Sequence, residues 1–167
     1  ERSDWKYPTA FTKKRKRNHI PILYPGINSK FPGRLMIKAI AMIRKLDKTE
    51  YDRATSLALE VYIQCGAEDF DEEGLNSFKS FIFSEQLMNE LVIYGAFDNE
   101  NLVGIMGTKN EGKHLSLFFI GKEHHRKGIG KQLFNFAIKH CPVNEMTVNS
   151  STYAIPFYQS LGFDKKE

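Results

Sequence analysis

The clearest pattern in the chain is a change of period. Ala54, Leu57, Ala58, Val61, Tyr62 and Cys65 recur at i, i+3, i+4, i+7, i+8 and i+11, the apolar stripe of an amphipathic helix. Asp47 or Thr49 is placed to cap it. A second helix starts at Asp71, Glu72 and Glu73 and turns Leu75, Phe78 and Ile82 inward. Ser84 caps a short third one carrying Leu87, Met88 and Leu91. Then the spacing becomes that of strands. Val92–Phe97, Leu102–Thr108 and His114–Ile120 form an antiparallel meander, joined by polar turns over 98–101 and 110–112. Helical spacing returns over Ile129–His140, with Leu133, Phe134, Ala137, Ile138 and Cys141 apolar. Met146–Asn149 is a short strand and Thr152–Leu161 a last helix. With a first strand at Met42–Leu46 the order is β-α-α-β-β-β-α-β-α. It predicts an α/β (α+β) domain with a mixed, mostly antiparallel central sheet flanked by helices.

Residues 1–41 do not share this pattern. They hold Pro8, Pro21, Pro25 and Pro32 of the chain's six prolines, and their apolar residues follow no period. They also hold ten Lys and Arg against Glu1 and Asp4, whereas residues 42–167 hold 14 against 18 acids. The net charge of +4 therefore belongs to the front segment, and global basicity does not make the rest a nucleic-acid binder. The expectation is a basic, proline-containing arm over 1–41, disordered or non-native to the domain, followed by a domain over 42–167. The opening at Glu1 reads as a fragment or processed product. The run Lys13-Lys14-Arg15-Lys16-Arg17 is of the kind seen in nuclear-import and nucleic-acid patches, and equally in unstructured arms.

The 167 residues suffice for one real core without staples. Cys65 and Cys141 form no CxxC pair and no zinc spacing, and both follow helical apolar spacing, which assigns them to core packing. Adjacent His124 and His125 point apart and lack a third ligand, so no metal is expected. No apolar run approaches the ~18 residues of a membrane span. There is no signal-peptide core either. The expected setting is soluble and cytoplasmic, with no membrane partner.

The stretch Leu115–Gly130, LSLFFIGKEHHRKGIG, carries the chemistry: a strand, a basic loop with two close glycines, then a helix start. Gly128 and Gly130 let backbone approach a ligand. The first helical turn offers unpaired N–H groups and partial positive charge, and Arg126, Lys127 and Lys131 add more. This is an anion site shaped for pyrophosphate. It is not a GxxxxGK[ST] loop, because Gln132 follows Lys131 and His125 stands at the first Gly. Nor is it GxGxxG, because Leu133 stands at the third Gly.

His125-Arg126-Lys127-Gly128-Ile129-Gly130 resembles the [Q/R]xxGxG/A acetyl-CoA motif of the GNAT N-acetyltransferase superfamily, with His125 in place of Gln or Arg. Residues 154–163, AIPFYQSLGF, resemble its second signature, A-x-x-F-Y-x-x-x-G-F. The resemblance spans about residues 42–163 and implies a GNAT-like acyl-CoA N-acyltransferase fold. The family usually continues into one more strand beside the last, and that strand is expected to be missing here. The resemblance also implies direct attack of a primary amine on the thioester of acetyl-CoA as cosubstrate. Backbone around Phe118, Phe119 and Ile120 would hold the pantetheine arm, and N–H groups of residues 126–131 the pyrophosphate. A backbone N–H near Phe119 would meet the oxyanion. Tyr158 would be the general acid, since a phenol of pKa ~10 stays protonated at neutral pH. Asn149, with Ser150 and Ser151, caps the last helix or lines the cofactor side. Glu111, His114 and Ser116 lie near the right strand, but no base is assigned among them.

The acceptor is expected to be a small-molecule or peptide amine, met by residues 63–91. The acids Glu68, Asp69, Asp71, Glu72 and Glu73 either form a solvated helix start or attract a cationic amine. The oligomeric state stays open, a homodimer among the options. The runner-up to an enzyme is a CoA-binding regulatory or pseudo-enzyme domain without efficient transfer. A third reading, nucleic-acid binding through the arm, predicts affinity that falls steeply with salt.

Overall fold

The computed structural model describes residues 3–8, 41–66, 72–150 and 154–165. In chain order its elements are β1 (Ser3–Pro8), β2 (Met42–Lys45), α1 (Tyr51–Gly66), α2 (Glu72–Ile82), α3 (Glu85–Asn89), β3 (Val92–Asp98), β4 (Asn101–Lys109), β5 (His114–Ile120), α4 (Ile129–His140), β6 (Glu145–Ser150), α5 (Ile155–Ser160) and β7 (Asp164–Lys165). One mixed sheet runs in the order β2-β3-β4-β5-β6-β1-β7. The expected meander is present: β2, β3, β4 and β5 pair antiparallel, with Ala96 opposite Ile43 and Gly107 opposite Leu117. Left-handed Asn99, Asn110, Glu111 and Gly112 (φ 54°, 53°, 55° and 84°) make the tight turns between them.

Alternation along the strands splits the core between the two faces of the sheet. Ile93 and Ile105 join Ala54, Ala58, Leu91 and Leu117 under α1. Tyr94 and Met106 join Leu133, Phe134, Met146, Tyr158 and Phe163 under α4 and α5. Ala54 and Ala58 are fully buried, and such small side chains bring α1 close to the sheet. Replacing a fully buried residue such as Leu133 by Ala would cost about 2–5 kcal/mol, most of it in the cavity left behind. Ser84 caps α3 as expected, accepting the Leu87 N–H at 3.4 Å.

Three expectations change. Cys65 lies at the end of the α1 stripe but is exposed, because this turn of the helix borders the open cleft and not the packed core. The first eight residues are not all arm: Ser3–Pro8 is a strand inside the sheet, between β6 and β7. The last strand, β7, begins directly after Phe163. The basic run at 13–17, the acids Glu68, Asp69 and Asp71, and Ser151–Tyr153 lie outside the described residues. The last helix is described over Ile155–Ser160.

The entry to α1 is set by a polar cluster. Arg44 donates two hydrogen bonds to the Glu50 carboxylate, both at 2.7 Å, and the Asp47 N–H donates a third at 3.1 Å. The Arg44 bonds, then the Asp47 N–H, pull the Glu50 pKa down from 4.5 to about 2. Because the folded value is the lower one, the stability from this carboxylate is present above pH 4.5 and is lost as pH falls toward 2. Exposure and salt screening keep its size small. In acid titrations followed by circular dichroism, Glu50→Gln is expected to melt slightly below the parent at pH 7. The gap should close by pH 2; a gap that is constant with pH refutes the linkage.

Candidate active site

β5 and β6 run parallel but pair over only two positions, His114 with Thr147 and Leu115 with Val148. Beyond Leu115 they separate, and among the described residues the β5 edge facing β6 has no further strand partner. Thr147 pins the apex of this fork. Its N–H donates to the Lys113 carbonyl at 2.9 Å, and its hydroxyl donates to the same carbonyl at 3.3 Å. The hydroxyl also lies 2.8 Å from His114 Nδ1, whose N–H it accepts in that arrangement. His114 is thus part of the hinge of the fork.

The fork opens into a cleft of ≈ 1130 Å³, lined by β5, the following loop, the start of α4, the end of β6, α5 and, opposite, α1 and α2. That is ample for an extended cosubstrate. The loop reverses direction through two left-handed residues, Arg126 (φ 61°) and Gly128 (φ 80°). Gly128 is the N-cap of α4, and no side chain caps the helix, so its first N–H groups face the cleft mouth unsatisfied. Arg126 and Lys131 stand beside them, while exposed Lys127 does not line the cleft. His125 reaches back: its Nε2–H donates to the Ile120 carbonyl at 2.7 Å and ties the loop to the strand end. The ring is occupied in shaping the cradle. At Gly130 a Cβ would stand 3.0 Å from the Phe157 ring, so the absence of a side chain lets α5 pack against the start of α4.

Tyr158 lines the same cleft and is buried, with Phe157 and Phe163 rings each 5.5 Å from its own and Phe118 at 6.3 Å. Burial among these rings, with no compensating charge, pushes the phenol far above its ordinary pKa of 10. The hydroxyl stays protonated throughout the neutral range. Phe118, Phe119, Ile120 and exposed Asn149 also border the cleft.

Glu111 is exposed, 3.8 Å from Lys113, and does not line the cleft. Ser116 does, and among the described residues its buried hydroxyl is the side-chain polar atom without a hydrogen-bond partner. An unmet hydroxyl of this kind costs about 1–3 kcal/mol until something pairs with it. The uncapped helix start, the unpaired β5 edge and this hydroxyl are a donor set that fits a phosphate-bearing chain with amide groups.

Of the opposite wall the sequence offered only the range 63–91 and no particular residues. Tyr62 and Phe78 stack with ring centres 4.2 Å apart, Phe119 sits 5.5 Å from Phe78, and Cys65 and Phe81 border the same space. Helical spacing marked Tyr62 and Phe78 only as inward-facing, a signal that cannot distinguish a core from a cleft.

Fold and site together define a mixed-sheet domain with an open cleft at a parallel fork. The chain belongs to the GNAT acetyltransferase domain family, whose model matches residues 66–167. A GCN5-related N-acetyltransferase from Rhodopseudomonas palustris is similar in structure, with a TM-score of 0.69 and 17% identity over 80% of this chain and 87% of its own. An N-acetyltransferase from Thermoplasma acidophilum, solved in complex with coenzyme A, gives 0.60 and 23% over 74% and 89%. A conserved protein of unknown function from Staphylococcus epidermidis gives 0.60 and 16% over 99% of this chain and 57% of its own. At such identities the likeness is one of fold. No curated protein matches the sequence.

Two variants probe this geometry. Gly128→Ala forces a Cβ into the left-handed region, at about 1–2 kcal/mol, and is expected to lower the melting temperature by about 2–8 °C. An unchanged melting temperature would mean the loop turns differently. For Tyr158 the folded pKa lies above the unfolded 10, so its stability contribution is full below pH 10 and falls as pH rises past it. Tyr158→Phe should therefore melt with less alkaline loss between pH 9 and 11 than the parent; equal slopes would mean the phenol is not dry.

Proposed function

We propose that the chain is an acetyl-CoA-dependent N-acetyltransferase acting on a primary amine carried by a small molecule or a peptide. The observation that carries this is the fork, with its unpaired β5 edge leading to an uncapped, glycine-led helix start. Acetyl-CoA, when bound, supplies an acetyl group as an activated thioester. The N–H groups of residues 126–131 hold the pyrophosphate, with Arg126 and Lys131 adding charge. The β5 edge at Phe118, Phe119 and Ile120 holds the pantetheine amides, and Ser116 supplies one more hydroxyl. A backbone N–H near Phe119 meets the negative charge that develops on the acyl oxygen. The Tyr158 hydroxyl keeps its proton at working pH and gives it to the departing sulfur, which leaves as a thiol, and the phenolate takes a proton back from solvent through the open cleft. The acceptor amine approaches from the wall of Tyr62, Phe78 and Phe81, and loses its own proton to solvent or to a base that we leave unassigned.

A second reading, a CoA-binding domain without efficient transfer, is favoured by one observation: among the described residues no carboxylate borders the cleft. Two experiments separate these. In a thermal-shift assay acetyl-CoA at ~100 times its dissociation constant should stabilise the protein by about 2.7 kcal/mol, with ATP and NAD as inactive controls. Absence of a shift refutes both readings. With an amine-acceptor screen, Tyr158→Phe is expected to lose about 10²–10⁴-fold in turnover while keeping its acetyl-CoA shift. A parent protein that binds acetyl-CoA yet acetylates no amine supports the regulatory domain.

A further inference from the structure

The strand Ser3–Pro8 is an interior strand of the sheet. It pairs antiparallel with β6 over the full length of both, from Ser3 opposite Ser150 to Pro8 opposite Glu145. On its other side Trp5 lies opposite Lys165 and Lys6 opposite Asp164. β7 ends the sheet and has β1 as its strand neighbour. β6, one wall of the fork, is held on its other side by the two pairs at the apex. A two-residue strand, or a strand joined by two parallel pairs, is marginal by itself. β6 and β7 also bracket α5, so both ends of the segment carrying Tyr158 are fastened to one strand. The Staphylococcus epidermidis structure aligns over 99% of this chain, a span that includes these residues.

We infer that β1 is the positioning strand of the cleft. Through its backbone it holds β6 and β7 in place, and so sets the width of the fork and the stance of Tyr158. The effect on transfer rests on the function proposed above; the effect on the fork does not. Lys6 lies in register with both Thr147 and Asp164 and is the informative position. Lys6→Pro removes a ladder N–H, whereas Lys6→Ala keeps it.

The test compares both variants in the full chain, together with a chain lacking residues 1–8, to which a synthetic peptide of residues 1–8 is added. In Lys6→Pro, amides of 145–150 and 154–165 should exchange with solvent at least about tenfold faster while those of β3 and β4 stay protected. Acetyl-CoA affinity and turnover should fall by a similar factor, with acceptor KM unchanged. Lys6→Ala should match the parent, and the peptide should restore the truncated chain. Unchanged protection of 145–150 overturns the inference, as does uniform loss across the whole sheet that the peptide does not repair. If acetyl-CoA does not bind the parent while the exchange result holds, the proposed function fails and the strand's role stands.

Discussion

Two residue pairs are all that join β5 to β6, and the site depends on that shortness. A strand edge stripped of its partner is normally a liability, because each buried N–H and C=O left unpaired costs as much as a lost hydrogen bond. Here the loss is confined to one edge and faces a cleft, where a ligand can meet it. Thr147 makes the opening abrupt by tying β6 to Lys113 and His114 through three contacts at the apex. Past that point no further ladder pair joins the strands among the described residues, and the buried Ser116 hydroxyl has no partner among them.

The two chemical demands of the cleft are met by opposite environments. Holding an anion needs donors and positive charge at an open mouth, and the uncapped α4 start with exposed Arg126 provides them. The Tyr158 phenol, protonated at neutral pH in any setting, sits among the rings of Phe118, Phe157 and Phe163, and that burial moves its pKa further up. Phe157 links the two regions, since it packs against Gly130 on one side and against Tyr158 and Phe118 on the other.

Much of this was legible in the chain because it is local. The helical stripe from Ala54 to Val61, the meander and its polar turns, and α4 over Ile129–His140 follow from period and turn chemistry. The glycine-led loop and the residues around Tyr158 were visible as motifs, and the cleft brings them together. Individual roles were harder to read. Cys65 continues the helical spacing yet is exposed, since periodicity says which side a residue takes and not whether that side meets the core or an open cleft. His125 lines the cleft and also bonds to the Ile120 carbonyl, a partner that only the fold of the loop brings within reach.

By itself the sequence determined the alternation of elements, the flexible glycine turn and the uncapped helix start, because these depend on side chains and dihedrals within a few residues of one another. Only the tertiary structure decided that β5 and β6 pair at two positions and then part, that Tyr158 is buried among aromatic rings, and that Ser3–Pro8 lies between β6 and β7. The physical reason is the same in each case. Burial is set by residues far apart in the chain. A β-ladder is made of backbone groups that every residue except proline carries alike, so the choice of partner strand leaves little mark on the residues that make it.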